Sequence, residues 1–358
     1  MSTESSVLEA AMAYGTPVEP ALIDKTLKRL WAESDNVSTR ASLMNLAIYS
    51  EDPDGLDTGS ALISELTRTH ACRAILINAR PGAEGSRVRS WINVHCHTTR
   101  AGAKQVCCEQ LSFLLEGGAT QRIPNIVFSH LDSDLPLTFC WLGNLHTFTD
   151  QRFWTWVDKL IVDSLNWTDP KKELALLQDI LKSAPRLCMR DINWMRSVYL
   201  RGALTQALDH PAALALLENL GEIEIHHTAE RRLTALLVLG WMWVRLGWKE
   251  VRRDGSNFIG TTGGETPREF KITLKPAAGE GFTLLALRDA AGEGEVLITR
   301  EQGAAHYRAR TRLPGEGTTE RLTPAGTRGV PALINEELSR GSRSRNCEIT
   351  LQRVLELL

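Results

Sequence analysis

The chain has 358 residues, 43% hydrophobic and 23% charged, so it has the material for a large core and a length that fits two domains of about 150 residues. A formal net charge of −2 excludes a general attraction to nucleic acid or to an anionic membrane surface. No export signal opens the chain, and the longest mostly apolar run, Leu233–Val244, is shorter than the roughly 20 residues a membrane span needs. The expectation is therefore a cytoplasmic protein whose seven irregularly spaced cysteines are free thiols.

An amphipathic segment comes first, with Ile23, Leu27, Leu30 and Trp31 at helical spacing, and residues 1–40 read as a helical arm. A short buried-strand pattern at Ser42–Ser50 precedes a polar turn and a helix over Thr58–Thr69. Strands are expected at Cys72–Ala79 and Val88–Thr98, and Gln105–Leu115 fits a strand or a helix. Pro124 near a first turn starts a short helix. Leu135–Leu142 reads as a strand, Arg152–Lys159 as a helix and Leu160–Ser164 as another strand, a βαβ unit that implies parallel pairing. Asp169 and Pro170 mark a sharp helix start. One helix is expected over Ile192–Leu208, a strand at Glu222–His226 and a buried helix over Glu230–Leu246. From Phe258 on, the runs FKITL, FTLLALRD, EVLITR and HYRARTRL, separated by Gly-Glu-Gly turns, read as an antiparallel meander. The fold class is α/β: a mixed, partly parallel sheet with flanking helices over 41–165, then a C-terminal α+β part over 166–358 that ends in the meander.

Candidate chemistry is sparse. His95-Cys96-His97 resembles a metal site, but on a strand the two histidines share one face and Cys96 points to the other, and no second ligand pair follows. Cys107-Cys108 is an adjacent pair, more readily two unpaired thiols than a strained vicinal disulfide, and both are redox candidates. Asp132 and Asp134 are paired carboxylates, or simply the polar turn before a strand. No dinucleotide fingerprint, phosphate loop or nucleophile elbow occurs, and no cofactor or metal is expected. Ten tryptophans stand against four tyrosines. Trp154 beside Arg152 is either an exposed interface anchor or a core residue.

Six segments matter together: SLMNLAIYSEDP, SELTRTHACRAILI, SWINVHCHTT, KQVCCEQLSFLLEGG, IPNIVFSHLDSDLPLTFCWLGN and RFWTWVDKLIVDS, in that order from residue 42 to 164. They resemble the glucose-6-phosphate dehydrogenase assembly protein family, OpcA. DINWMR and the LGWMWVRLGW helix extend the resemblance more thinly to about residue 250. It implies a non-enzymatic partner of glucose-6-phosphate dehydrogenase that favours its active oligomer or activates it allosterically, supporting NADPH production in the oxidative pentose phosphate pathway. It also implies a link to thioredoxin-type redox control. Arg152, Trp154, Trp141, Asp132 and Asp134 are the partner-binding candidates. An α/β enzyme acting on a sugar phosphate is the alternative, and it requires a polar pocket near the ends of LTFCWL or LIVDS.

Overall fold

The computed structural model describes residues 14–33, 38–98, 105–145, 151–326, 328–341 and 344–358. In chain order the first elements are β1 (Thr16–Val18), α1 (Ile23–Glu33), β2 (Ser38–Arg40), β3 (Met44–Ser50), α2 (Gly55–Leu66), β4 (Cys72–Arg80), β5 (Ser86–Thr98) and β6 (Gln105–Gly117). Then come α3 (Ile123–Ser129), β7 (Leu137–Trp141), β8 (Lys159–Val162), α4 (Pro170–Ser183) and β9 (Cys188–Asp191). The remainder holds α5 (Ile192–Met195), α6 (Val198–Ala207), α7 (Ala213–Glu218), β10 (Leu220–His227), α8 (Arg232–Arg245), β11 (Glu250–Asp254), β12 (Asn257–Thr261) and β13 (Glu269–Pro276). It ends in β14 (Phe282–Asp289), β15 (Glu295–Thr299), β16 (His306–Leu313), β17 (Gly317–Pro324), α9 (Val330–Ser339) and α10 (Arg345–Leu357).

The architecture is α/β, with two sheets and flanking helices. In the first sheet the strands run β1-β5-β6-β4-β3-β7-β8-β9, with β2 also on β6. The pairs β4–β6, β3–β4, β3–β7 and β7–β8 are parallel, while β1 and β5 join antiparallel. From β6 to β9 this is the order of a doubly wound dinucleotide-type sheet, whose switch point lies between β3 and β7. Continuous burial of β4 over Cys72–Ala79 and of β7 explains the unbroken apolar runs. Within the segment read as an arm, β1 pairs with β5, and Ile23 and Leu27 are buried.

The second sheet has the order β11-β12-β13-β10-β14-β15-β16-β17. The meander is antiparallel from β14 to β17. The FKITL strand stands apart from it: β13 pairs parallel with β10, which separates it from β14. The helix expected over Ile192–Leu208 is broken into α5 and α6, because the buried Ser197 bonds back to the Trp194 carbonyl at 3.0 Å and takes the chain out of the helical ladder.

Two compact units interleave along the chain, whereas the sequence reading places a single division near residue 165. The described residues of Met1–Asn166, Leu176–Arg190 and Val330–Arg343 form one unit. Those of Trp167–Ala175, Asp191–Gly329 and Ser344–Leu358 form the other. The return of α9 to the first unit is held by ionic contacts: Lys159 Nζ donates to the carbonyls of Glu337 (3.1 Å) and Arg340 (2.8 Å), and Arg190 pairs with the buried Glu337 at 3.2 Å.

Candidate functional site

The carboxyl ends of β3, β7 and β8 surround a cavity of about 570 Å³ in the first unit. It lies where open α/β sheets place their ligands. Its wall carries Glu51, Asp52, Asn144, Asp163 and Asn166, over an apolar floor that includes Ile48 and Leu62. The turn from β3 into α2 is SEDPDG, with acids where a dinucleotide-binding turn has glycines. Three of its backbone N–H groups are already engaged. Asp52 N donates to Ser50 Oγ, Asp54 N to Asp52 Oδ1 (2.9 Å) and Gly55 N to the Asp52 carbonyl (2.9 Å). Asn78, fully buried at the end of β4, sends Nδ2 to the carbonyls of Ser50 (3.3 Å) and Asp52 (2.7 Å) and so pins the turn. In a dinucleotide fold that strand end supplies the acid that holds a ribose. Tyr49 donates to Glu51 Oε1 at 2.6 Å, and burial together with that bond keeps its phenol protonated far above the ordinary value. A phosphate entering this crevice meets the carboxylates of Glu51, Asp52 and Asp163.

At the opposite, amino-terminal edge of the same sheet, charged side chains cross-link the strands. Asp132 accepts from Arg40 and Arg73, each at 2.9 Å. Arg40 also reaches Glu109 at 3.1 Å, and Trp31 donates its indole N–H to the same buried carboxylate. Asn45 clamps the turn through both backbone groups of Asp132 it can reach, Nδ2 on the carbonyl and Oδ1 on the N–H. Asp132 is thus an internal tie, whereas Asp134 is exposed, at φ 67°. Arg152 is exposed as well.

Trp141 and Trp154 are both buried, 0% and 1% exposed, so neither ring presents itself to a partner. Trp141 stacks on Tyr49 at 4.0 Å and donates to the Asn144 carbonyl; Trp154 packs on Trp141. The exposed aromatic residue is Trp156, at 68%, beside the partly exposed Phe128 at 6.1 Å between centroids. The cause is local. Gln151–Trp156 is a 3₁₀ helix, not the expected α-helix, and this turn buries Phe153, Trp154 and Val157 while Trp156, at its end, is left outside. Of the two readings open for Trp154, the core one holds.

Cys107 is not a free thiol. It forms a disulfide with Cys96, its direct cross-strand partner in the β5–β6 ladder. Cys96 is exposed and Cys107 buried. Cys108 points to the other face as a buried thiol raised by burial, against the Ala41 carbonyl. His95 is bonded to Gln110 (2.6 Å) and His97 to Thr67 (3.0 Å); no cluster of three potential metal ligands occurs among the described residues. No helix among the described residues is long and apolar enough to cross a membrane.

Fold and crevice define a doubly wound α/β protein whose phosphate-binding turn is replaced by an acidic one. Two family models match the chain: the glucose-6-phosphate dehydrogenase subunit N-terminal domain over residues 63–179, and the corresponding C-terminal domain over 188–347. The chain belongs to the OpcA glucose-6-phosphate dehydrogenase assembly family. It is 26% identical over 201 residues to the OxPP cycle protein OpcA of Nostoc punctiforme, covering 55% of this chain and 43% of that one. With the protein of the same name from Synechococcus elongatus it shares 23% over 262 residues, covering 72% and 56%. The chain thus spans about half the length of the curated relatives it matches. A biliverdin reductase from Synechocystis, solved with biliverdin and NADP⁺, is a distant structural neighbour that covers 88% of this chain and 97% of its own at 11% identity and a TM-score of 0.44.

Proposed function

We propose that this chain is a non-catalytic, cytoplasmic partner of glucose-6-phosphate dehydrogenase that binds the enzyme's active oligomer in preference to other forms. The observation that carries the reading is the pair of matches to that enzyme's assembly-subunit domains, which together take in most of the chain. Preferential binding shifts the enzyme toward the bound form, and a coupling of roughly 1–3 kcal/mol changes apparent substrate affinity about 5–150-fold. No catalytic group on this chain is required, which fits a crevice whose acids oppose sugar phosphates and dinucleotides alike.

The contact surface in this reading is the amino-terminal edge of the first sheet. Trp156 and Phe128 form its aromatic centre, and the exposed Arg152 and Asp134 are its candidate polar residues, a composition suited to an interface anchor. The Cys96–Cys107 disulfide gives the reading a redox control. A thioredoxin-type dithiol would donate two electrons and two protons, leaving two thiols here and a disulfide on the reductant. The test of the surface is calorimetric titration of glucose-6-phosphate dehydrogenase with Trp156→Ala and Phe128→Ala. Each is expected to weaken binding by about 1–3 kcal/mol with the thermal midpoint little changed; unaltered affinity in both would move the interface elsewhere.

A further inference from the structure

The outward face of the second sheet carries charges in an order that is complementary to itself. α8 packs on β10 and β13, and α6 on β15, β16 and β17, so the opposite face of these strands is the outward one. On β16 the alternation is complete: Tyr307, Ala309, Thr311 and Leu313 are buried, and Arg308, Arg310 and Arg312 are exposed. The registers set the neighbouring columns. β13 presents Lys271 and Lys275, β10 presents Glu222 and Glu224, and β14 presents Arg288. β15 then presents Glu295, β16 its three arginines and β17 Glu320. Glu269, also on β13, is taken up by Arg252 of β11 at 2.9 Å.

From β13 to β17 the strands therefore read plus, minus, plus, minus, plus, minus, and the sign inverts across the line between β14 and β15. Beside that line stand Leu284, Leu297 and Thr299, directly or diagonally paired across the two strands. Within one chain Arg288 already bridges Glu222 (3.1 Å), Glu224 (3.3 Å) and Glu295 (2.9 Å), which holds the acidic columns in place.

We propose that this face docks a second copy of this chain, with a two-fold axis parallel to the strands and lying between β14 and β15. Such an axis lays β14 of one copy over β15 of the other, β10 over β16 and β13 over β17. Arg288 then faces Glu295 of the second copy, and Glu222 and Glu224 face its Arg312 and Arg310, around a central strip of Leu284 and Leu297. Face-to-face sheets stack about 10 Å apart and cross at about −30°, so the match is between columns more than between single pairs. An axis perpendicular to the strands would instead stack arginines on arginines, so charge selects the orientation as well as the partner. An isologous contact of this kind closes after two copies.

Sedimentation velocity of the full chain from about 1 to 50 micromolar tests the proposal, with Leu297→Asp and R310E/R312E as independent variants. The wild type is expected to sediment as a dimer that weakens as salt rises, and each variant to raise the dissociation constant at least about tenfold. Each variant should still melt cooperatively as a folded monomer, because the altered side chains point away from the core, with its midpoint lowered only by the loss of dimer. A wild-type monomer across that range, or a dimer indifferent to both variants, would overturn it.

Discussion

Trp154 and Trp156 lie two positions apart, one in the core and one in solvent, and substitutions should separate their roles. Trp154→Ala is expected to cost about 3–5 kcal/mol in stability, since it leaves a cavity against Trp141, whereas Trp156→Ala should leave chemical denaturation nearly unchanged. The disulfide makes a second residue-scale prediction: reduction, or Cys96→Ser, should change activation of the enzyme if the bridge is a control, and identical activation by oxidised and reduced protein would remove that role. Glu224 makes a third. Hydrogen bonds from Lys275 and His226 hold its carboxyl at about 2, below the ordinary 4.5. A group depressed on folding stabilises the fold above its unfolded value and loses that contribution as pH falls toward about 2. Melting temperature should therefore drop below about pH 4.5, and Glu224→Gln should flatten that part of the curve.

Elements with long, regular burial were legible in the sequence, and those shaped by short-range geometry were not. The apolar runs of β4, β7 and β8, and the βαβ spacing between the last two, gave the parallel sheet, because strands buried on both faces cannot alternate. Asp191 capping Asn193 N at 2.9 Å and Asp169 bonding Lys172 N at 3.1 Å matched the helix starts read from the residues. The disulfide stayed hidden because Gln105–Leu115 was open between helix and strand, and only the hairpin register sets Cys96 opposite Cys107. Trp154 stayed open between anchor and core because the residues do not announce a six-residue 3₁₀ turn, whose period differs from that of the expected α-helix. The acidic crevice could be read only as an absent glycine motif, since its character depends on strand ends distant in sequence. It makes an element-scale prediction: NADP and glucose 6-phosphate should give no saturable calorimetric signal with this chain alone. Millimolar or tighter binding abolished by Asp163→Ala would instead favour an enzyme on this fold.

At the scale of the whole molecule, family membership and the acidic turn are the two observations behind the proposal that this chain acts through another protein's active site. The chain spans about half the length of its curated relatives, and the activating role is measured directly on the enzyme. Purified glucose-6-phosphate dehydrogenase from the same organism, at sub-saturating glucose 6-phosphate and NADP, should be titrated with this chain while NADPH is followed. The account predicts a saturable rise in rate, with no NADPH formed by this chain alone. An unchanged rate, with no co-elution of the two proteins on a sizing column, would contradict it.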